Sequence, residues 1–266
     1  MPTSELQMPS ARRLRIGLGT FVAIEAQAAS EAVALHGIEA AFAAVAAAET
    51  HLHPGRPGSD LQRINATAPG QRVRIASATH GLLALARRLH ELTLGIFDPC
   101  LPERPGRLPD VQLSEAADTT QEPPWVVCHA PVALDFGGFA KGHAIDCAVD
   151  ALTAAGCSAG LVNAGGDVRL FGARRQTLLL RGSDGDYRPL ALSNTALAVS
   201  AVHGRGRPRG HRGYYVRGRR SGAHRHFAAV LAPTAVIADA LTKCLLLCPE
   251  ALARRALREF AARSAG

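Results

Sequence analysis

Apolar and polar residues alternate from Arg15 to Glu25, with β-branched Ile16, Val22 and Ile24 among them, which predicts a strand. The period then lengthens. Ser30 precedes an alanine-rich run whose apolar positions recur every three or four residues, predicting a capped amphipathic helix to about Glu49. Two prolines and two glycines between His51 and Ser59 mark a loop. A short strand at Val73 to Ile75 follows, then a helix capped by Ser77, running to Leu94 and ended by Gly95. Residues Cys100 to Pro124, rich in proline and polar side chains, read as an excursion between two halves.

Beyond it, strands are expected at Trp125 to His129 and Val132 to Phe136, then a glycine-rich turn and a helix from Phe139 to Ala155 stopped by Gly156. Several strands lie between Gly160 and Ala201, an arginine-rich loop interrupts them, and a last strand, Phe227 to Ala232, feeds a helix from Ala235 to Leu247 that Thr234 can cap. A final helix covers Glu250 to Ala262. Strands and helices do not alternate as in a βαβ series. The pattern therefore predicts an α+β fold, a mixed-sheet sandwich and not a Rossmann sheet, with residues 1–266 as one domain.

Composition adds little to this picture: 47% hydrophobic and 20% charged residues are ordinary for a globular enzyme. The apolar run Ala40 to Ala48 is too short to span a bilayer, and no secretory signal or lipidation cysteine stands near the start. These features lead to the expectation of a cytoplasmic protein without a membrane span. Six cysteines without a Cys-x-x-Cys pair suggest buried free thiols; Cys244 and Cys248 alone make a poor metal site, as do His51 and His53 in their loop. The net charge of +8 is local, because eight arginines and no acids lie between His203 and His226. That Arg/Gly-rich loop, with Tyr214 and Tyr215, offers a reading of another class, nucleic-acid binding. It matches no recognised module, and no nucleic-acid partner is expected. Only two of the thirty basic residues are lysines, Lys141 and Lys243.

Both lysines fall in segments that carry chemistry. In Asp135-Phe136-Gly137-Gly138-Phe139-Ala140-Lys141-Gly142 a carboxylate, two glycines and a lysine stand at a helix start, a setting for an anion such as phosphate or, equally, a tight turn with a solvated lysine. In Asn163-Ala164-Gly165-Gly166-Asp167 a strand ends in two glycines and an acid, which also reads as a hairpin turn. In Ala232-Pro233-Thr234 through Lys243, Asp239 is a carboxylate in an apolar helix and needs a partner. Thr242 shares its face, and oxygen donors of this kind suit Mg²⁺; an internal Asp239–Lys243 ion pair is the competing reading.

Together these segments resemble the FAD:protein FMN transferase family, the ApbE type. The likeness begins at Gly17-Leu18-Gly19-Thr20 and continues through Ser59-Asp60-Leu61, Asn65 and Gly95-Ile96-Phe97-Asp98-Pro99. It implies FAD as substrate, Mg²⁺ at the pyrophosphate, and transfer of FMN to a Thr or Ser hydroxyl of an acceptor flavoprotein with release of AMP. By position, it implies FAD contacts from Leu18, Gly19, Thr20, Ile96, Phe97, Asp98, Asp135, Gly137, Lys141, Asn163, Gly165, Gly166 and Asp167. Metal ligands would be Asp239, Thr242 and a carbonyl near Gly138, and the catalytic pair Asp239 and Lys141. Three departures stand out. Leu18 replaces a frequent methionine, and Lys243 holds a position where the family commonly has threonine. Tyr215 to Gly222 lacks the His and Asp of the family's His-x-x-Asp-Pro-x-Thr-Gly stretch, so an FAD-binding or FAD-cleaving relative without acceptor transfer is the alternative.

Overall fold

The computed structural model describes residues 8–115, 123–182, 184–201 and 225–265. The expected strand over Arg15 to Glu25 is part of a hairpin, β1 (Ser10–Gly17) and β2 (Thr20–Gln27). Leu18 and Gly19, both in the left-handed region at φ 55° and 69°, form its two-residue turn. Alternation continues unbroken through such a turn, which is why it reads as one strand. Helix α1 (Glu31–Leu52) starts where expected, with the Ser30 hydroxyl accepting from Val33 N. It is long and apolar enough to cross a membrane by length and composition alone. Its face Ala34, Ile38, Ala41, Phe42, Val45 and Ala48 is buried against the sheet and a later helix.

A short helix α2 (Asp60–Ala66), capped by Ser59, was not expected. Strand β3 (Arg72–Arg74) leads to α3 (Ser77–Leu92), whose cap position is Ala76 and not Ser77. The work of a cap is done from a distance: Asp60 Oδ2 accepts from Ala76 N at 2.8 Å and Thr79 Oγ1 at 2.5 Å. The described part of the proline-rich excursion is folded, with a 3₁₀ turn (Leu108–Asp110) and β4 (Val111–Leu113) pairing on β5 (Trp125–Cys128). These strands form a three-stranded sheet in the order β3-β5-β4. Val132 to Phe136 is not a strand. Only Cys100 and Leu134 form an isolated bridge, while the Asn65 amide pairs both Leu134 N and Leu134 O in place of a neighbouring strand.

Helix α4 (Ala140–Ala154) is followed by β6 (Ala159–Ala164), β7 (Asp167–Phe171), β8 (Gln176–Arg181), β9 (Tyr187–Leu192), β10 (Ala196–Ala201) and β11 (Phe227–Ala232). Then come α5 (Ala235–Leu247), α6 (Glu250–Glu259) and β12 (Arg263–Ser264). The main sheet is seven-stranded and antiparallel throughout, in the order β1-β2-β6-β7-β10-β11-β12. Its period-two pattern sends Val22, Ile24, Val162, Ala196, Ala198 and Val230 into a core with α1, α4 and α5. Val168, Leu170, Leu197, Ala229 and Leu231 face the other way, against Leu180 and Leu192 of the β8–β9 hairpin. Helices, sheet and hairpin thus form layers, and the α+β expectation holds.

Candidate functional site

The candidate site begins at the turn between β6 and β7 of the main sheet. Gly165 and Gly166, at φ 61° and 98°, make the two-residue turn of the β6–β7 hairpin. The hairpin reading of this segment is therefore correct as far as the backbone goes. A Cβ on Gly165 would lie 2.8 Å from Thr20 Oγ1, so the turn seats directly on the start of β2. Asn163 Oδ1 accepts from Gly166 N at 3.0 Å and holds the turn from within. The turn's purpose extends to the next residue, because it delivers Asp167 to a position 1% exposed.

Asp167 Oδ1 accepts from Val199 N of β10 at 3.0 Å, and Oδ2 lies 2.5 Å from Lys141 Nζ. Burial pushes this carboxyl above its ordinary value, the negative charge of Asp239 adds to the rise, and Lys141 and Lys243 oppose it. Lys141 stands in the first turn of α4. That helix begins after a tight bend in which Asp135 Oδ1 accepts from Gly137 N at 2.6 Å and Phe136 O accepts from both Phe139 N and Ala140 N. Phe136 and Phe97 both pack on Phe139, at 4.9 and 5.9 Å between ring centres, anchoring the bend in the core.

Helix α5 supplies the second acid. Asp239 is 1% exposed; its Oδ2 accepts from Gly142 N at 3.1 Å and its Oδ1 pairs with Lys243 Nζ. This contact needs the helices very close, and a Cβ on Gly142 would stand 2.3 Å from Ala235 O. Asp146 of α4 strengthens the same crossing, accepting from Ala235 N and Val236 N at 2.8 Å each. It does the capping expected of Thr234, whose hydroxyl makes no cap bond. Burial raises the Asp146 carboxyl, against those two amides and Arg169.

The two lysines of the chain thus meet two buried aspartates in one cluster. Lys243 Nζ also donates to Ser200 Oγ and Thr242 Oγ1, each at 3.1 Å. Thr242 Oγ1 donates to Asp239 O at 2.7 Å, so it accepts from Ser200 Oγ at 2.8 Å. Its one hydrogen and both lone pairs are then committed within the protein.

Of the expected FAD residues, Leu18, Gly19, Thr20, Asn163, Gly165, Gly166, Asp167 and Lys141 are brought together through the two hairpin turns and the Lys141 contact. Asp135 and Gly137 lie on the bend before α4, beside Gly138. Phe97 and Asp98 are instead buried at 1% and 2% exposure. Asp98 accepts from Cys100 N, Leu108 N and Arg107 Nε, and Ile96 packs against the core, so this segment supports the bend from beneath. The expected metal residues Asp239 and Thr242 are adjacent, but the Lys243 ammonium stands on both. The Asp239–Lys243 ion pair is therefore formed, and no group of three His, Cys, Asp or Glu side chains suited to a metal occurs among the described residues.

Asp146 and Ser200 were not singled out from the sequence, and Gly142 was named only as the end of its segment, without a role of its own. The partners of Gly142, Asp146 and Ser200 are 97, 89 and 42 positions away, and nothing local signals them. All six cysteines are free and five are buried, Cys147 being half-buried beside His143. Most of the arginine-rich stretch, including Tyr215 to Gly222, lies outside the described residues, and with it the nucleic-acid reading; Arg225 pairs with Glu250.

Among solved structures the chain is similar to the flavinyl transferase ApbE of Pseudomonas stutzeri in its apo form, at 18% identity and TM-score 0.76, covering 96% of this chain and 90% of that one. It is likewise similar to the flavin transferase ApbE of Vibrio cholerae, at 17% identity and TM-score 0.71, covering 97% and 93%. For the ApbE protein of Thermotoga maritima the values are 21%, 0.72, 95% and 91%. No curated protein sequence matches the chain. These likenesses establish the fold. The model of the ApbE family, however, matches residues 18–264, from the first hairpin turn to the last strand and across every segment of the charged cluster, and on that ground the chain belongs to the ApbE family of transferase enzymes.

Proposed function

We propose that this chain transfers FMN from FAD to a Thr or Ser hydroxyl of an acceptor flavoprotein. The observation that carries the reading is the family match across residues 18–264, whose distinctive segments supply Lys141, Asp167, Asp239 and the turns around them. In the reaction the acceptor oxygen attacks the FMN-side phosphorus of the pyrophosphate. The bond from that phosphorus to the bridging oxygen breaks, AMP leaves with the electron pair, and the hydroxyl proton passes to a base or to solvent.

Lys141 suits the phosphate end of such a substrate. It sits in the first turn of α4, where the helix dipole and an ammonium both favour an anion, and its partner Asp167 fixes its direction. The turns at Leu18 to Thr20 and Gly165 to Gly166 form the neighbouring rim, with Asp135 and Gly137 at the bend. Mg²⁺, which the resemblance implies, would call on Asp239, Thr242 and a carbonyl near Gly138. The committed Thr242 hydroxyl and the Lys243 ammonium do not fit that set.

The test is intact-mass analysis of an acceptor domain after incubation with the enzyme and FAD. An FMN-sized gain on the acceptor, lost with Lys141→Ala, is expected. AMP release without a mass gain on the acceptor would select the FAD-cleaving alternative, and absence of both would end the reading.

A further inference from the structure

We propose that the Lys243 ammonium is the resident cation of this site, standing where a divalent metal would otherwise bind. It follows that the chain binds FAD without one. The inference rests on the FAD reading for its ligand, but its cation part is independent of it.

Three observations point the same way. Lys243 Nζ meets three oxygens, Asp239 Oδ1, Ser200 Oγ and Thr242 Oγ1, one for each N–H of an ammonium. Its side chain is 13% exposed and that of Asp239 1%, so the pair is a buried one and not a surface contact that water readily loosens. Thr242 has no lone pair left, since it accepts from Ser200 and Lys243 while donating to Asp239 O. A small divalent ion needs about six oxygens at close to 2.1 Å. Here the nearest candidate oxygens already surround a positive charge, which would repel such an ion at short range.

The arrangement is also electrically closed. Asp167 and Asp239 are matched by Lys141 and Lys243, so the cluster needs no further positive charge to hold two buried carboxylates together. An incoming pyrophosphate would be drawn by the charge of both ammoniums, the three Lys243 N–H groups staying committed within the protein. Lysine holds such a group as a compact point charge, without the geometric demands of Mg²⁺.

The experiment uses the full chain and two readouts. Mn²⁺ binding is followed by electron paramagnetic resonance without FAD or acceptor, and FAD affinity by flavin fluorescence in EDTA and in Mg²⁺. For the natural sequence, no stoichiometric Mn²⁺ binding and an FAD Kd equal within about twofold in the two buffers are expected. Lys243→Thr should bind Mn²⁺, and its FAD affinity should become at least about tenfold tighter with Mg²⁺ than with EDTA. One bound Mn²⁺ in the natural sequence, or FAD binding abolished by EDTA, would overturn the proposal without any variant being needed. A folded Lys243→Thr protein that takes up no Mn²⁺ would overturn it too. Failure to bind FAD in every buffer would remove the flavin reading instead, while the Mn²⁺ signal still decides the cation.

Discussion

Four aspartates of this chain are buried among the described residues, and they divide into two regions that use the same side chain differently. Asp60 and Asp98 lie in the part built on the three-stranded sheet and its flanking turns. Each holds together local backbone: Asp60 takes Ala76 N, Thr79 Oγ1 and the Arg63 guanidinium, and Asp98 takes Cys100 N, Leu108 N and Arg107 Nε. Their arginines are themselves almost half exposed. Asp167 and Asp239 lie at the junction of the main sheet with α4 and α5. Each takes a single backbone N–H and a lysine, and each is close enough to the other to matter electrostatically. A buried carboxylate held by backbone or hydroxyl donors and one half-exposed arginine is a fastener. One held by an ammonium beside a second carboxylate belongs to a coupled charge cluster, the kind of arrangement that perturbs titration at functional sites.

The second region depends most on the crossing of α4 and α5. Gly142→Ala places a methyl against Ala235 O and Val236 Cα, backbone atoms that cannot move aside alone. A loss of about 3 kcal/mol is expected, read by denaturant unfolding, together with loss of FAD binding because Gly142 N no longer reaches Asp239. Next comes the fastener. Asp60→Ala orphans the Ala76 amide, the Thr79 hydroxyl and Arg63, and should lower stability by about 2 kcal/mol while the folded protein keeps its FAD affinity. A parallel loss of affinity would blur the distinction between the two regions.

Asp167→Asn should cost less than about 1 kcal/mol near neutral pH, because it removes a charge that burial disfavours while giving up only an ion pair whose lysine side chain is 29% exposed. Its signature is in pH. The carboxyl of Asp167 is raised in the folded state, so the folded chain binds that proton more tightly than the unfolded chain. Its contribution is therefore most favourable at low pH and declines as pH rises from about 3.9 through the raised value. Stability curves of the natural protein and Asp167→Asn should converge on a constant offset above that window and diverge within it.

The smallest effect is at His143, half-buried on α4 against Cys147 Sγ at 3.4 Å, where burial lowers the imidazole and Asp150 partly restores it. A lowered histidine favours the folded state above its unfolded pKa, near 6.5, and that contribution is lost as pH falls toward the folded value. His143→Gln should flatten the acid side of the thermal stability profile by less than about 1 kcal/mol.

Local chemistry made much of this readable in advance. Ser30 ahead of a three-four apolar repeat produced α1 because a cap and a periodic face act within one turn. The Gly165–Gly166 pair produced its hairpin because two residues at positive φ close a tight turn, and Asp239, alone in an apolar helix, marked the site because such a carboxylate must find a partner. What escaped was settled across the chain. Leu18 at positive φ is not a residue type that announces a turn, Ala76 begins α3 because a carboxylate sixteen positions earlier takes its amide, and Leu134 makes only a bridge because an asparagine sixty-nine positions away pairs both its polar groups.

The site divides in the same way. Sequence alone determined which segments carry glycines, acids and the only two lysines, since those are properties of residue type and spacing. Only the tertiary structure decided that both lysines converge on two buried acids, that Phe97 and Asp98 turn inward as supports, and that Lys243 closes around Asp239, Ser200 and Thr242. An ammonium can pair with a carboxylate four residues away on any helix. Whether it also takes a serine from a neighbouring strand depends on how closely that strand packs, and packing is set by the whole core at once.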